Sequence, residues 1–333
     1  MPRRKRATLR EVAEATDLSV AAVSYALRGI NTSAQTQERV RQAAEELGYR
    51  VDPVARALAG GRSGLVGLLC GSLEDLAEQR FAEGVGSRLA QRDLQVLVTD
   101  ARGDPAREEL LARQLAGTWV DGLIVSPLDP SAAFWAQVAE ALPLVTVGDA
   151  LRAQTVGELL YDNRTGVTRV LEHLHALGHR RVVVLTPSRP TTPDRPAEVV
   201  VREVAGRLGL EVAVRSSPHS IEGATDVAGQ VLAGPTPPTA LFALSDSIAC
   251  GAYAAARERG LAVPDDVSVA GYDDHPIARV LTPELTSVAW DVPGVARSAA
   301  DLVAAAVLGE PEQRRVRVDP ALVPRGSTGP VPP

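Results

Sequence analysis

Three short runs hold the residue types most able to do chemistry. "EHLHALGH" carries His173, His175 and His179, a pattern that invites a metal ion. On a helix, residues two apart face different ways, so His173 and His175 do not readily share an ion. These histidines are expected to be structural. "GYDDH" sets Asp273 beside Asp274, the residue type of acid–base work. Neighbours at a strand end point to opposite sides, and no positioned nucleophile accompanies them. "EGVGSRL" holds its glycines inside a helix rather than after a strand, so it does not cradle a phosphate. No catalytic residue, no metal site and no cofactor is expected, and enzyme is the least favoured class.

The remaining run is "DLSVAAVSYALRG", residues 17–29, close behind the basic arm "PRRKR". Read as a helix over about 20–28, it places Val23, Ala26 and Leu27 on one face, bordered by Ala22. That face is expected to pack on Val12, Ala13, Val40 and Leu47. Val20, Ala21, Ser24 and Tyr25 are left outward on the other face. They are small enough to lie close to a surface, and such side chains suit the major groove of DNA. Val20 and Ala21 can touch thymine methyls, and Tyr25 offers a hydroxyl.

Local signals supply the elements that hold this face. In "TLREVAEAT", Thr8 and Glu11 have the spacing of a capping box, in which each side chain satisfies a free amide at a helix start. Ser19 caps the second helix. Ser33 caps a third over about 34–47, which Gly48 stops. Three short helices with short connections form a helix-turn-helix module, or else an ordinary three-helix scaffold that binds nothing. Charge favours the first. Residues 1–62 hold eleven Lys/Arg against seven Asp/Glu, a local +4, although the chain as a whole is at −6. A positive end on a negative body points to a local polyanion partner.

Beyond "YRVDPVARALAGGRSG", whose short helical run needs a partner surface to form, apolar strands and amphipathic helices alternate. "LVGLLCG", "LQVLVTD", "VDGLIVSP", "PLVTVGD", "RVVVL", "EVAVRSS", "TALFALS" and "VSVAGYDD" read as strands, most of them near-continuously apolar, with helices between them. This pattern predicts parallel sheets covered on both faces, split near Tyr161 into two similar lobes with a cleft between. Cys70 and Cys250 sit in apolar runs and are expected to be reduced and buried. No leader-like apolar run follows the basic start and no stretch is long enough to span a bilayer, so a cytoplasmic protein with no membrane partner is expected.

These runs together resemble the LacI/GalR family of bacterial transcription regulators. The resemblance covers essentially the whole chain, through "TLREVAEATDLSVAAVSYALRG", "ARALAGGRSGLVGLL", "VDGLIVSP", "DNRTGVTRVLEHLHALGHRRVVVL", "ALFALSDSIACGA", "VPDDVSVAGYDD" and "LTPELTSV" in order. It implies a small all-α helix-turn-helix headpiece over 1–48, a hinge helix or linker over 49–62, and an α/β core of two Rossmann-like lobes over 63–333, of the periplasmic-binding-protein type. Lobe 1 is expected over about 63–158 and 288–316, lobe 2 over about 159–287 and 317–333. The implied function is a sequence-specific regulator, a repressor acting as a homodimer on a palindromic double-stranded DNA operator. A small polar effector, a sugar or sugar derivative, controls it from the cleft. A solute-binding sensor with a degenerate headpiece, or a regulator without a ligand, are the alternatives.

Carried over by motif, Val20, Ala21 and Tyr25 stand where the family reads bases, and Thr8, Ser19, Ser24 and Thr36 where it touches phosphates. Arg28 replaces a frequent Asn and joins the DNA-contacting set. Leu58 stands where a hinge leucine enters the minor groove and unstacks a base step. Val51 occupies the usual position of a proline. In the cleft the resemblance points to Ser72, Ala77, Glu78, Arg195, Asp246 and Asp273. Ala77 and Glu78 replace an aromatic pair, which weakens the case for a stacked pyranose. Trp290, near the crossover between lobes, is expected to pack rather than line the cleft.

Overall fold

The computed structural model describes residues 7–27, 29, 31–49, 62–118, 120–187, 196–310 and 312–331. The chain divides into two compact units at Ser63–Gly64.

The N-terminal unit contains helices α1 (Leu9–Thr16), α2 (Val20–Leu27) and α3 (Ala34–Glu46). Asp17, in the left-handed region at φ 50°, ends α1 and lets the chain turn at once into α2. Val12, Ala13, Val23, Ala26, Val40 and Ala44 form the buried core, with Leu9, Leu18, Leu27, Ala43 and Tyr49 packed around it. Leu47 departs from expectation, being 43% exposed. The end of α3 explains this. Gly48 takes φ +64°, its N–H donates to Glu45 O, and Tyr49 N–H donates to Ala44 O at 2.8 Å. This paired closure turns the residue after the glycine back toward the helix, so Tyr49 takes the place expected for Leu47.

The larger unit holds two six-stranded sheets. Its strands are β1 (Leu65–Cys70), β2 (Gln95–Asp100), β3 (Gly122–Val125), β4 (Leu144–Gly148), β5 (Gly157–Tyr161), β6 (Arg181–Pro187), β7 (Glu211–Ser217), β8 (Ala240–Ala243), β9 (Ser268–Asp273), β10 (Thr286–Ala289), β11 (Arg314–Val318) and β12 (Ala321–Val323). The first sheet runs β11-β5-β4-β3-β1-β2 and is parallel throughout. The second runs β12-β10-β9-β8-β6-β7 and is parallel except where β12 pairs with β10. Strands β1, β3, β4, β8 and β9 are buried almost end to end, as parallel strands under helices on both faces must be.

Helices α4 (Leu76–Ala90) and α11 (Val292–Leu308) cover one face of the first sheet, α5 (Pro105–Thr118) and α6 (Phe134–Ala141) the other. Gly84 permits the close approach of α4 to α11, since a Cβ there would lie 2.8 Å from Ala296 Cβ. On the second sheet, α7 (Asn163–Ala176) and α8 (Pro196–Leu208) lie on one face, α9 (Ile221–Leu232) and α10 (Asp246–Glu258) on the other. The chain changes sheet after β5, after β10 and after β11. Strands β5 and β11 pair as far as Tyr161 and Val318, so the changes come two to three residues later than the expected lobe limits at 158 and 316.

The histidine run is fixed by this packing. His173 Nε2 lies 2.9 Å from Thr328 Oγ1, while His179 bonds Thr239 through Nδ1 and Ser268 and Gly329 through Nε2. Burial pushes both imidazoles below their ordinary range. The Pro/Gly-rich C-terminal segment also belongs to the fold. Ser327 is fully buried, and the guanidinium of Arg325 lies 2.6 Å from the Asp274 carboxylate. Both cysteines are free and buried. Among the described residues, no helix is long and apolar enough to cross a membrane.

Candidate DNA-binding face and effector cleft

In the three-helix unit, hydroxyl side chains occupy the helix starts. Thr8 N–H donates to Glu11 Oε2 at 2.6 Å and Thr8 Oγ1 accepts from Glu11 N–H, which completes the capping box. Ser19 Oγ accepts from Ala22 N–H, and Ser33 Oγ accepts from Thr36 N–H and lies 2.9 Å from Thr36 Oγ1. Each start therefore pairs a hydroxyl with amides at the positive end of a helix, the arrangement that favours a phosphate. On α2, Val20 and Tyr25 are 43% and 44% exposed, Ala21 is exposed and Ser24 half-buried, opposite the buried Val23 and Ala26. Thr8, Ser19, Val20, Ala21, Ser24, Tyr25 and Thr36 thus sit on helix starts or on the outward face of α2. Arg28 and Leu58 lie outside the described residues.

In the large unit, a cavity of about 490 Å³ opens between the ends of the two sheets. Ser72, Ala77, Glu78 and Asp273 line it. Arg195 lies outside the described residues. Asp246 is the correction. It is 1% exposed and turned into the second lobe, where it accepts from Ser287 Oγ and His275 N–H, both at 2.7 Å. Burial, reinforced by the charge of Asp274, raises its carboxyl to about 7. Asp246 does not touch the cavity; it clasps the turn after β9. In that turn Asp273 holds φ 108° and Asp274 φ 45°, conformations costly for residues with a Cβ. Gly271 leaves room for the clasp, because a Cβ there would overlap Asp246 Oδ1.

Two features of the cavity have no counterpart in the sequence reading. The first is aromatic. Tyr161, Tyr272 and Trp290, from the ends of β5, β9 and β10, stack in series with ring centroids 4.7 and 5.6 Å apart, and all three line the cavity. Trp290 therefore packs and lines at once. Tyr272 reaches further, donating its hydroxyl to Asn163 Oδ1 at 3.0 Å over Gly166, where a Cβ would lie 2.6 Å from that hydroxyl.

The second is a link across the cleft. Asp75 caps α4 in the first lobe, and its Oδ1 accepts from Ser245 Oγ at 3.1 Å and from Ser247 Oγ at 3.4 Å, both at the start of α10 in the second lobe. Leu76 N–H donates back to Ser247 Oγ at 3.0 Å. His219 Nδ1 lies 3.8 Å from Asp75 Oδ2. Deeper in, burial and then the Asp75 charge raise Glu78 to about 8, against hydrogen bonds from Ser126, Cys70 and the Gly71 backbone. Burial and the nearby acids Asp75, Asp246 and Glu78 hold Asp273 well above the carboxylate range.

Comparison with known proteins bears on both regions. Residues 8–52 match the model of bacterial regulatory proteins of the lacI family, and residues 171–328 match that of a periplasmic-binding-protein-like domain. The chain is 33% identical over 340 residues to the HTH-type transcriptional regulator MalR of Streptomyces coelicolor, covering 97% of each. It superimposes on a lac repressor dimer bound to operator and the anti-inducer ONPF with a TM-score of 0.81 at 27% identity, covering 98% of this chain and 100% of that one. A complex of the transcriptional regulator CelR with cellobiose gives 0.66 at 26% identity, covering 97% and 100%.

Proposed function

The chain belongs to the lacI family of bacterial regulatory proteins, DNA-binding transcription regulators and not enzymes, and from that premise we propose that it is a repressor working as a homodimer on a palindromic operator and answering to a small polar effector held between its core lobes. The observation that carries this reading is the outward face of α2. Val20, Ala21 and Tyr25 stand clear of the core and the hydroxyl caps flank them, so base edges and phosphates are met by different residues of one small unit.

Exposed apolar side chains in both lobes support a dimer. Leu97 and Val98 of the edge strand β2 and Leu110 of α5 lie open in the first lobe, and Ile221 and Val280 in the second. Such side chains mark a surface that a partner covers. The effector reading rests on the polar and aromatic cavity, and on two similar structures that hold small molecules, the anti-inducer ONPF and cellobiose. Residues 1–48 are the headpiece in this reading, 49–62 the hinge and 63–333 the core, with Leu58 as the wedge that opens a base step and Arg28 and Arg195 contributing to DNA and effector contacts.

Selection of bound DNA from a random library, at two salt concentrations, tests the reading. A palindrome with a flexible central step is the expected product. Leu58→Ala should then weaken palindrome binding by on the order of a few kcal/mol, with salt-driven non-specific binding nearly unchanged. Sequence-blind binding that vanishes with salt would overturn the operator reading, and equal losses on both DNAs would overturn the wedge.

A further inference from the structure

The cleft narrows the chemistry of its ligand. Among the described residues, the cavity lining carries the carboxyl groups of Glu74, Asp75, Glu78, Asp149 and Asp273 against Arg102 and His219. The Arg102 side chain is 74% exposed and faces Asp100 at 3.9 Å. Against these residues an anionic ligand would meet like charge in a partly desolvated setting, where repulsion is screened least. Resting on the effector reading above, we infer that the ligand is a polyhydroxylated amine, an amino sugar or a compound of that class, whose ammonium group sits among these carboxyls against the aromatic series.

Three independent features converge on a cation. Glu78 lines the cavity, and although hydrogen bonds reach its carboxyl from Ser126, Cys70 and the Gly71 backbone, its Oε2 is buried with no partner of its own. A buried acceptor left unmet is costly, and a donor brought by the ligand relieves it. An ammonium group, with three donors and a full charge, does so more completely than a hydroxyl. Tyr161 and Trp290 line the same space, and aromatic rings attract cations, more strongly where water is excluded. Finally, burial and the Asp75 charge raise Glu78 to about 8, and burial and its acidic neighbours raise Asp273 well above the carboxylate range, a penalty that a positive group would relieve. A bare metal ion fits less well, since no three or more His, Cys, Asp or Glu among the described residues are grouped to hold one. Hydroxyl groups on the same skeleton suit Ser72, Asn163 and the remaining carboxylate oxygens, in a cavity within the size range of small-ligand sites.

The test is calorimetric titration of the full chain near pH 6.5, where amines are protonated. The probes are glucosamine and the β-1,4 disaccharide of glucosamine, each set against its neutral counterpart, glucose and cellobiose. The expected result is an amine that binds about tenfold or more tightly than its neutral partner. Glu78→Gln should cut that preference severalfold, and Asp149→Asn gives a second reading should the first variant fail to fold. Neutral sugars binding as tightly as the amines would overturn the inference and leave the effector reading standing. No saturable binding by any of the four would overturn both.

Discussion

In the three-helix unit the polar groups proposed to meet a partner stand at helix starts, in water. In the cleft they stand at strand ends and beneath α4, out of water. The difference sets their chemistry. Thr8 and Ser19 act through amides that any helix start provides. Glu78, Asp246 and Asp273 are changed by where they lie, each pushed upward first of all by burial. Exchanging an exposed cap disturbs only its own small unit, whereas exchanging a buried cleft group disturbs the packing of the core lobes. Variants in the two regions should therefore separate cleanly.

The largest effect is expected at Gly271, beneath the Asp246 clasp. Gly271→Ala would drive a methyl into Asp246 Oδ1 and to 2.8 Å from Leu285 Cδ2. Overpacking together with a disturbed buried carboxylate should cost about 3 kcal/mol or more. Denaturant unfolding of the core should shift accordingly, with hydrogen-exchange protection in α1–α3 unchanged. An unaltered midpoint would show that the clasp is not rigid.

Legibility in the sequence follows the same division. The headpiece is read from neighbours in sequence. Caps, periodicity and stop glycines place α1–α3 within a residue or two, and the one misplaced core residue, Leu47, differs only because a left-handed glycine hands its place to Tyr49. The core lobes are legible as alternation, but β5, β10 and β11 are not. "GELLY" and "TSVA" are broken by polar residues where most other strands run apolar, and "RRVRV" is an edge strand whose exposed arginines pair with Glu158 and Asp162 rather than hiding apolar side chains. The cleft is least legible because its parts meet only in three dimensions. Tyr161, Tyr272 and Trp290 come from three strands and restore the aromatic surface whose absence at Ala77 and Glu78 counted against a stacked ligand. Nothing local distinguishes Asp246, which turns inward, from Asp273, which lines the cavity; their partners decide.

Proton linkage gives the next prediction. Glu78 keeps its proton to about pH 8 when folded, whereas the unfolded chain releases it in the ordinary carboxylate range. Between those values the folded state binds more protons, so its stability falls as pH rises through the window. Glu78→Gln removes this dependence. Relative to the natural chain, the ligand-free variant should gain up to about 1.4 kcal/mol for each pH unit from about 6 to 8, read as midpoints in urea at each pH. A stability difference flat across that range would show that Glu78 is ionised and satisfied in the empty cleft.

Val23→Ala should cost about 2 kcal/mol, the loss of two buried methylene equivalents and the space they leave. In the large unit that sum is minor. In a unit whose buried core is six side chains, it is a sizeable share. Amide exchange in α1–α3 should therefore quicken markedly and operator affinity fall, while the core's unfolding midpoint stays put. If the core shifts by the same amount, the two units do not unfold independently, and the contrast between them fails at the level of stability.

The smallest effect, and the one that bears most directly on how the exposed region works, is at Thr8. Its hydroxyl serves the helix through Glu11 N–H at 3.3 Å and Glu11 Oε2 at 3.0 Å, and in the proposed complex it also faces a phosphate. Thr8→Ala should cost about 1 kcal/mol of headpiece stability through the lost cap, and Thr8→Ser should restore most of it. On DNA the two roles separate by measurement. A phosphate contact carries no sequence information, so its loss weakens the palindrome and random DNA by the same factor. Threonine is uncharged and releases no counterion when it binds, so the slope of affinity against salt should not change. A headpiece that is merely less folded would instead lose affinity in proportion to its unfolded fraction, and low temperature would recover it. Equal weakening on both DNAs, an unchanged salt slope and no recovery on cooling would place Thr8 on the phosphate; recovery on cooling would leave it a cap alone.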